Sequence, residues 1–539
     1  IEGGSMAAVW KFGAFLLLLA AFQLATGVLA ARIAARASVG FAANLREDMY
    51  NNVQTFAFSN IDKFSTASIV TRLTTDTTNV QNAFQMLMRM AIRAPVMLIF
   101  SMIVSFRISR DISMTFLIIL PILALALFFI IRSVFPVFSR VFRTYDELNN
   151  VVQENVRGIR VVKSFNQERH EIGKFGAISE RIYKDFSKGE RLITLNAPLM
   201  QFCIYTCMIV ISWLGAKAII ASGNDPALGF TTGNLTALIT YTMQILSSLM
   251  MLSMVFAMLT ISLSSARRIA EVLEERSDIP QPEQPVMTVR DGAVDFDHVS
   301  FVYASKTDKK VLDDIDLHIH SGETIGIIGG TGASKSSLVQ LIPRLYDVTD
   351  GKLTLGGVDV RDYDLDTLRG AVAMVLQKNE LFSGTIKENL RWGNENATDE
   401  ELRHACELAC ADGFISAMPD GYDTHIEQGG TNVSGGQKQR LCIARALLKK
   451  PKVLILDDST SAVDTRTDAQ IQQALSTYIP DTTKIIIAQR ISSVQNADRI
   501  VVLDDGHIDA VGCHDELLRT CEIYREVYES QQKGGEDDA

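Results

Sequence analysis

Residues 329–336 read Gly329-Gly330-Thr331-Gly332-Ala333-Ser334-Lys335-Ser336, an order of small residues, a lysine and a hydroxyl suited to holding phosphate. The β-branched run at 325–328 precedes them, so a strand is expected to enter a glycine-rich turn and leave it as a helix from about Lys335. Backbone N–H groups in such a turn point inward and cradle phosphate oxygens. Lys335 would then reach the β and γ phosphates, Ser336 would ligate Mg²⁺, and Ser337 would stand beside it. The strict pattern has glycine where this chain has Ser334, and a side chain there crowds the approach of backbone to phosphate. Downstream, the apolar run 453–456 ends in Asp457 and Asp458. Asp457, at the end of a strand, would hold Mg²⁺ through water. Ser434-Gly435-Gly436-Gln437 opens a helical stretch, and a helix N-terminus with two glycines exposes N–H groups and a positive dipole end.

These residues require an α/β frame. From residue 293 onward short β-branched runs (324–328, 371–376, 453–456, 484–488, 500–503) alternate with helical patterns, so residues 293–539 are expected to form an α/β nucleotide-binding domain. Residues 276–292, with Pro280, Pro282 and Pro285, cannot continue a helix and are expected to be a linker. Residues 1–275 differ in kind. Five segments, approximately 10–35, 84–106, 112–136, 193–222 and 235–265, are apolar and long enough to cross a bilayer, which takes about 20 helical residues. The gaps between them alternate short and long. The long gaps carry Arg46, Arg72, Arg140, Arg160 and Lys188 among other cations, which places them in the cytoplasm. Helical periodicity within them (Leu148, Val151, Val152) predicts that each is a pair of helical extensions joined by a crosswise turn, near 61–69 in the first and near 181–190 in the second. Met250, Met254 and Met258 form one stripe of the last span, open to reading as helix packing or as an adaptable wall. Gln201, Tyr205 and Gln244 are polar within spans and are candidate cavity residues.

Composition narrows the function classes. Of 539 residues 47% are hydrophobic, an excess concentrated in the N-terminal half. The net charge of −10 argues against a nucleic-acid partner, because phosphate backbones select basic surfaces. The seven cysteines are scattered without the paired spacing of a zinc site.

Taken together, residues 329–336, the segment Val433-Ser434-Gly435-Gly436-Gln437 and the run 453–458 resemble the P-loop, signature and Walker B segments of an ABC transporter ATPase of the exporter type. The resemblance covers nearly the whole chain. It implies a helical transmembrane bundle fused to a P-loop ATPase, six spans per half of which five are visible here, and a first helix that would precede Met6. It implies that Tyr303 stacks on adenine and that Gln377 senses Mg²⁺ and the attacking water. It implies that residues 381–386 form part of a socket for the cytoplasmic turns, and that Glu427 lies in a loop for cross-talk between halves. Asp464, in Ser461-Ala462-Val463-Asp464, matches the D-loop between the halves, where the signature contacts a γ-phosphate held by the opposite half. Gly158-Ile159-Arg160-Val161-Val162-Lys163-Ser164-Phe165 resembles the cytoplasmic helix of exporters rather than importers.

Two positions depart from that family. Asp458 stands where it has a catalytic Glu, and Gln489 stands where it has a switch His. The shorter Asp sets its carboxylate roughly 1.5 Å back, and a misplacement of about 1 Å can lose ~10²-fold in rate. A Gln can donate to the γ-phosphate but cannot move a proton. With Ser334, these changes predict a slow or silent ATP site. The expectation is one half of a heterodimeric multidrug or lipid exporter, a multi-pass protein of the cytoplasmic membrane with its ATPase domain in the cytoplasm. It would bind ATP and Mg²⁺, pair with a second exporter half, and move a small apolar or amphipathic substrate (drug, lipid or peptide) through the lipid bilayer. A homodimer with unusual catalytic residues, or an ATP-gated regulatory or channel-like subunit, are the rival expectations.

Overall fold

The computed structural model describes residues 6–225, 229–303, 309–330, 332–459 and 461–536. Thr331 of the phosphate turn lies outside them. The chain forms two units, one of residues 1–54 and 66–275, the other of Thr55–Ser65 with Arg276–Ala539.

The first unit is helical. Its elements are α1 (Met6–Gln54), then, after a short helix α2 (Phe58–Lys63) that belongs to the second unit, α3 (Thr66–Thr71), α4 (Thr77–Met86), α5 (Arg93–Ile108), α6 (Arg110–Arg157), α7 (Ile159–Ser164), α8 (Glu168–Thr194), α9 (Asn196–Ser222) and α10 (Thr232–Glu274). Among the described residues five helical segments are long and apolar enough to cross a membrane: Val9–Gln54, Thr66–Ile108, Arg110–Arg157, Glu168–Ser222 and Thr232–Phe256. Large apolar side chains such as Trp10, Leu17 and Phe22 lie exposed on α1, as lipid-facing positions require. Ser109 caps α6, its Oγ accepting from the Ile112 N–H, and Thr231 caps α10 in the same way. A Cβ on Gly215 would stand 2.6 Å from Leu235, so glycine there permits α9 and α10 to approach closely. The second of these segments, Thr66–Ile108, is not a uniform helix: π-turns at Arg72–Asp76 and Leu87–Ala91 interrupt it.

The second crosswise turn is not where the sequence pattern put it. Residues 181–190 lie inside the unbroken helix α8, and the chain reverses at α7 instead. Ile178 and Ile182 of α8 pack on Val151 of α6, so the reversal falls halfway between the paired residues, at Ser164 and Phe165, where Asn166 takes a left-handed φ of 52°. The first crosswise turn, α2, lies within a few residues of its expected position.

The second unit has three sheets. β1 (Val294–Phe301), β2 (Leu312–Ile319), β4 (Asp350–Leu355) and β5 (Val358–Asp359) form an antiparallel sheet ordered β2-β1-β4-β5, which the sequence pattern did not single out. The other large sheet contains β3 (Thr324–Gly329), β6 (Val372–Val375), β9 (Val453–Asp457), β10 (Thr483–Ile487), β11 (Arg499–Asp504) and β12 (His507–Gly512), ordered β12-β11-β3-β10-β9-β6. All its pairings are parallel except β11 with β12. β7 (Gly384–Thr385) and β8 (His425–Ile426) make a small ribbon. The helices are α11 (Lys335–Leu341), α12 (Leu365–Ala371), α13 (Ile386–Arg391), α14 (Asp399–Leu408), α15 (Asp412–Ser416), α16 (Gly435–Leu448), α17 (Thr465–Tyr478), α18 (His514–Thr520) and α19 (Glu522–Glu536). The run Val453–Asp457 is buried at every residue because Leu454 and Leu456 face a core shared with α14, α16 and α17, while Val453 and Ile455 face a second core shared with α11 and the antiparallel sheet. α2 is built into this unit. Asn60 is fully buried, its Oδ1 accepting from the Asp278 N–H at 3.1 Å and its Nδ2 donating to the Arg276 carbonyl at 2.9 Å.

Candidate nucleotide site

The parallel sheet assembles the site. β3, β10 and β9 are neighbours in register, with Ile487 level with both Ile327 and Asp457, and β6 lies beside β9. Their C-terminal ends therefore bring together the glycine turn after Gly329, Gln489 after β10, Asp457 and Asp458 at the end of β9, and Gln377 just past β6. A crevice beyond the carboxyl ends of parallel strands is where open α/β sheets bind ligands.

In the turn, Gly332 has φ +90°, and a Cβ at Gly330 or Gly332 would meet nothing within 4 Å, so the backbone there faces open space. Ala333 is buried against the core beneath. Ser334 keeps the backbone shape of the glycine it replaces, at φ 67° and ψ 20°, and precedes α11 without capping it. Lys335 Nζ donates to the carbonyls of Gly329 and Gly330, both at 2.8 Å. Burial pushes its ammonium below the usual lysine range, against the pull of Asp457 and Asp458. Asp457 is 3% exposed; burial raises its carboxyl, Asp458 adds to the rise, and the Ser336 hydroxyl and Lys335 oppose it. A buried carboxylate beside a hydroxyl, with the amide of Gln377 near, is a hard-oxygen set that fits Mg²⁺.

Asp458 is the centre of the polar contacts. Its φ is +48°, a left-handed geometry that turns the side chain out at the strand end. Its Oδ2 accepts from Gln489 Nε2 at 2.9 Å and from Gln377 Nε2 at 3.4 Å. The acid is thus held between two neutral amides. Gln489 is held in turn: Gln531 of α19 donates Nε2 to the Gln489 carbonyl at 2.7 Å and accepts from the Ile491 N–H at 2.9 Å. Gln531 had no signal in the sequence, being 42 residues from its partner.

Tyr303 stands at the other end of the turn, its hydroxyl 2.9 Å from the Ser337 hydroxyl and its ring edge-on to Tyr346 with centroids 5.1 Å apart.

The signature residues form a second cluster. Ser434 caps α16 in a reciprocal box with Gln437, its Oγ accepting from the Gln437 N–H and its own N–H donating to the Gln437 Oε1 at 2.9 Å. A Cβ on Gly436 would lie 2.8 Å from the Ala462 carbonyl, and one on Gly435 3.5 Å from the Ala462 side chain, so both glycines allow the D-loop to pack on the helix start. Gln439 fastens the same contact, accepting from the Ala462 N–H at 3.0 Å. Asp464 caps α17, accepting from the Thr467 N–H at 3.0 Å. Glu427 accepts from the Thr431 hydroxyl at 2.8 Å. Of residues 381–386, Phe382 lines a cleft with Lys378, Glu380, Trp392 and Arg445, its ring stacked on that of Trp392 at 4.2 Å. Of the candidate cavity residues, Gln244 donates to the Met97 sulfur at 3.3 Å, and Tyr205, Met250 and Met254 are exposed.

Comparison with known proteins covers both units. Residues 2–264 match the ABC transporter transmembrane region, and residues 312–461 match the ABC transporter family. An ABC transporter ATP-binding protein of Bacillus subtilis (strain 168), YfiB, is 36% identical over 97% of this chain and 90% of its own length. The ATP-dependent lipid A-core flippase of Desulfotalea psychrophila is 32% identical over 86% of this chain and 80% of its own. In fold, a bacterial Atm1-family ABC exporter with ATP bound superposes with a TM-score of 0.84 at 24% identity, covering 98% of this chain and 92% of that one.

Proposed function

The chain belongs to the ABC transporters, a multi-pass membrane protein of exporter architecture with a cytoplasmic ATPase domain, and on that premise we propose that it is one half of a heterodimeric exporter whose own ATP site retains nucleotide. The observation that carries this reading is the bond from Gln489 to Asp458. The acid at the end of β9 is satisfied by an amide that can neither take nor give a proton. It has a shorter reach than Glu, and its Oδ2 is already engaged by two amides, an arrangement that holds the acid in place rather than aiming it at an attacking water.

The binding apparatus is kept. On nucleotide entry Lys335 exchanges two carbonyls for phosphate oxygens, and the turn's N–H groups line the phosphates. Ser336, Asp457 and Gln377 would hold Mg²⁺, which neutralises charge between the phosphates. Tyr303 would stack on adenine. The intact segment 434–437, set on the D-loop by Gly435 and Gly436, is the part a companion's site would use. The companion would supply the Glu and His absent here. Two ATP molecules would lie between the halves, and closure of that sandwich would turn the spans outward through α2 and α7. The cargo we propose is small and apolar or amphipathic. The five apolar spans and a relative that bears the name of a lipid flippase support that class.

The test is ATP hydrolysis by the purified chain alone and with its companion half. The expected result is turnover that appears only with the companion. A lone chain as active as the pair overturns the heterodimer in favour of a homodimer. A pair that hydrolyses ATP yet shows no stimulation by any apolar cargo and no transport favours a regulatory subunit.

A further inference from the structure

We infer that Tyr346 is a positioning residue that carries occupancy of the adenine end of the site to the cytoplasmic helix α2. The inference rests on the proposed stacking of Tyr303 on adenine and adds a route by which that stacking is felt elsewhere.

Five side chains make the route, all within the second unit. Tyr303 meets Tyr346 edge to face, with centroids 5.1 Å apart and planes at 90°. Phe301, buried in β1, braces both rings, at 4.7 Å from Tyr303 and 5.6 Å from Tyr346. On its far side Tyr346 lies 6.0 Å from the ring of Phe58, the first residue of α2. Its hydroxyl donates to Asp62 Oδ2, on the same helix, at 2.9 Å. Burial, and then the Asp62 carboxylate, hold the Tyr346 hydroxyl protonated well above the usual tyrosine range, so it remains a donor.

Each link is directional. Edge-to-face rings prefer a narrow set of orientations, so a rotation of one is communicated to the other. The Tyr303 hydroxyl is tied to the Ser337 hydroxyl near the start of α11. Presenting its face to a purine requires Tyr303 to turn against the edge of Tyr346. Tyr346 cannot yield toward β1, which Phe301 occupies, so the displacement falls on Phe58 and Asp62. α2 has little slack with which to absorb it, because Asn60 is bonded to Arg276 and Asp278 at the start of the linker. Tyr346 joins α2 to the ring that would meet the base, so the base, rather than the triphosphate, is what α2 senses through Tyr346.

The experiment is hydrogen exchange on the full chain in lipid nanodiscs, reading peptides that cover residues 55–65, with binding measured separately by a fluorescent ATP analogue. Exchange is followed without ligand, with Mg-ATP, and with Mg-tripolyphosphate, which fills the phosphate turn but has no base. ATP is expected to slow exchange in 55–65 by about threefold or more, and tripolyphosphate is expected to leave it unchanged. Tyr346→Phe keeps the ring and removes the donor. It is expected to abolish the ATP-dependent slowing while leaving analogue affinity within about twofold. Asp62→Ala should behave as Tyr346→Phe, Asp62→Asn should retain the response because its amide oxygen still accepts, and the double variant should be no worse than either single change. The Asp62 pair decides the matter if Tyr346→Phe fails to fold. A purely structural role would change exchange without ligand, not the difference ATP makes. Slowing that persists in Tyr346→Phe and Asp62→Ala with ATP bound, or equal slowing by tripolyphosphate, overturns the inference. Failure of the native chain to bind the analogue instead removes the nucleotide reading on which it stands.

Discussion

Ser334 adopts a left-handed backbone, at φ 67°, that costs a non-glycine residue about 1 kcal/mol relative to glycine. That strain bears on the stability of the turn, whereas the side chain itself crowds the approach of backbone to phosphate, so Ser334→Gly is expected to tighten ATP binding by up to ~5-fold, read by titration of a fluorescent analogue. Unchanged affinity would mean that the phosphate is accommodated beside serine at no cost. A second residue-scale expectation concerns protons. Gln489 has no imidazole, so whatever residual turnover this site shows should be flat between about pH 6 and 8, whereas Gln489→His combined with Asp458→Glu should raise turnover and introduce a limb in that range. No gain from the double change would locate the defect at Ser334. These departures were legible in the sequence because the segments around Ser334, Asp458 and Gln489 are contiguous and ordered. What could not be read was that Gln489 bonds to Asp458 across 31 residues, or that Tyr303 is tied to Ser337 across 34. The first depends on β9 and β10 lying side by side in the parallel sheet, the second on α11 packing into the same core as the end of β1, and no local spacing encodes either.

At the scale of elements, the spans and the parallel strands were legible because each has a strong physical signature, about 20 apolar residues for a span and a buried β-branched run for a strand. The antiparallel sheet was not. In β2, Leu312-Asp313-Asp314-Ile315-Asp316-Leu317-His318-Ile319, the alternation of inward apolar and outward polar residues is broken by a bulge before Ile315. The second cytoplasmic turn was misplaced for a related reason. Helical periodicity continues through α8, and only the pairing of Ile178 with Val151 fixes where the chain doubles back. Element packing also leads to a prediction at α19. Tyr524 is fully buried and seats this helix, while Gln531 on its exposed side brackets Arg490 with two bonds to the switch segment. Gln531→Ala is expected to free Gln489 from Asp458 and to shorten the residence of ATP on this chain several-fold, with little change in melting temperature because the core contacts of α19 remain. Dissociation followed by rapid dilution from labelled ATP is the measurement. An unaltered residence time would show that Gln489 keeps its place without the helix.

At the scale of the whole molecule, the two clusters of polar residues have different fates under the proposed asymmetry. On that proposal Lys335, Ser336 and Asp457 would serve a triphosphate on this chain, and residues 434–437 would serve one held by the companion. Each can be removed separately. Lys335→Ala takes away the main cation facing the phosphates and should weaken binding here, yet it should lower turnover of the pair by less than ~10-fold, because the splitting site lies on the companion's lysine. Gly436→Asp is the opposite case. Its Cβ would press on the Ala462 carbonyl 2.8 Å away, displacing the D-loop from the start of α16, and its charge would oppose a γ-phosphate. That variant should cost the pair ~10²-fold or more in ATPase while leaving analogue binding at Lys335 intact. Two variants in one chain, one mild and one severe, are a pattern that a symmetric pair cannot produce, since each of its sites would draw on both clusters equally. Equal losses from the two substitutions, measured as steady-state phosphate release by the assembled pair in lipid, would therefore refute the asymmetry even if every other feature of the fold stood.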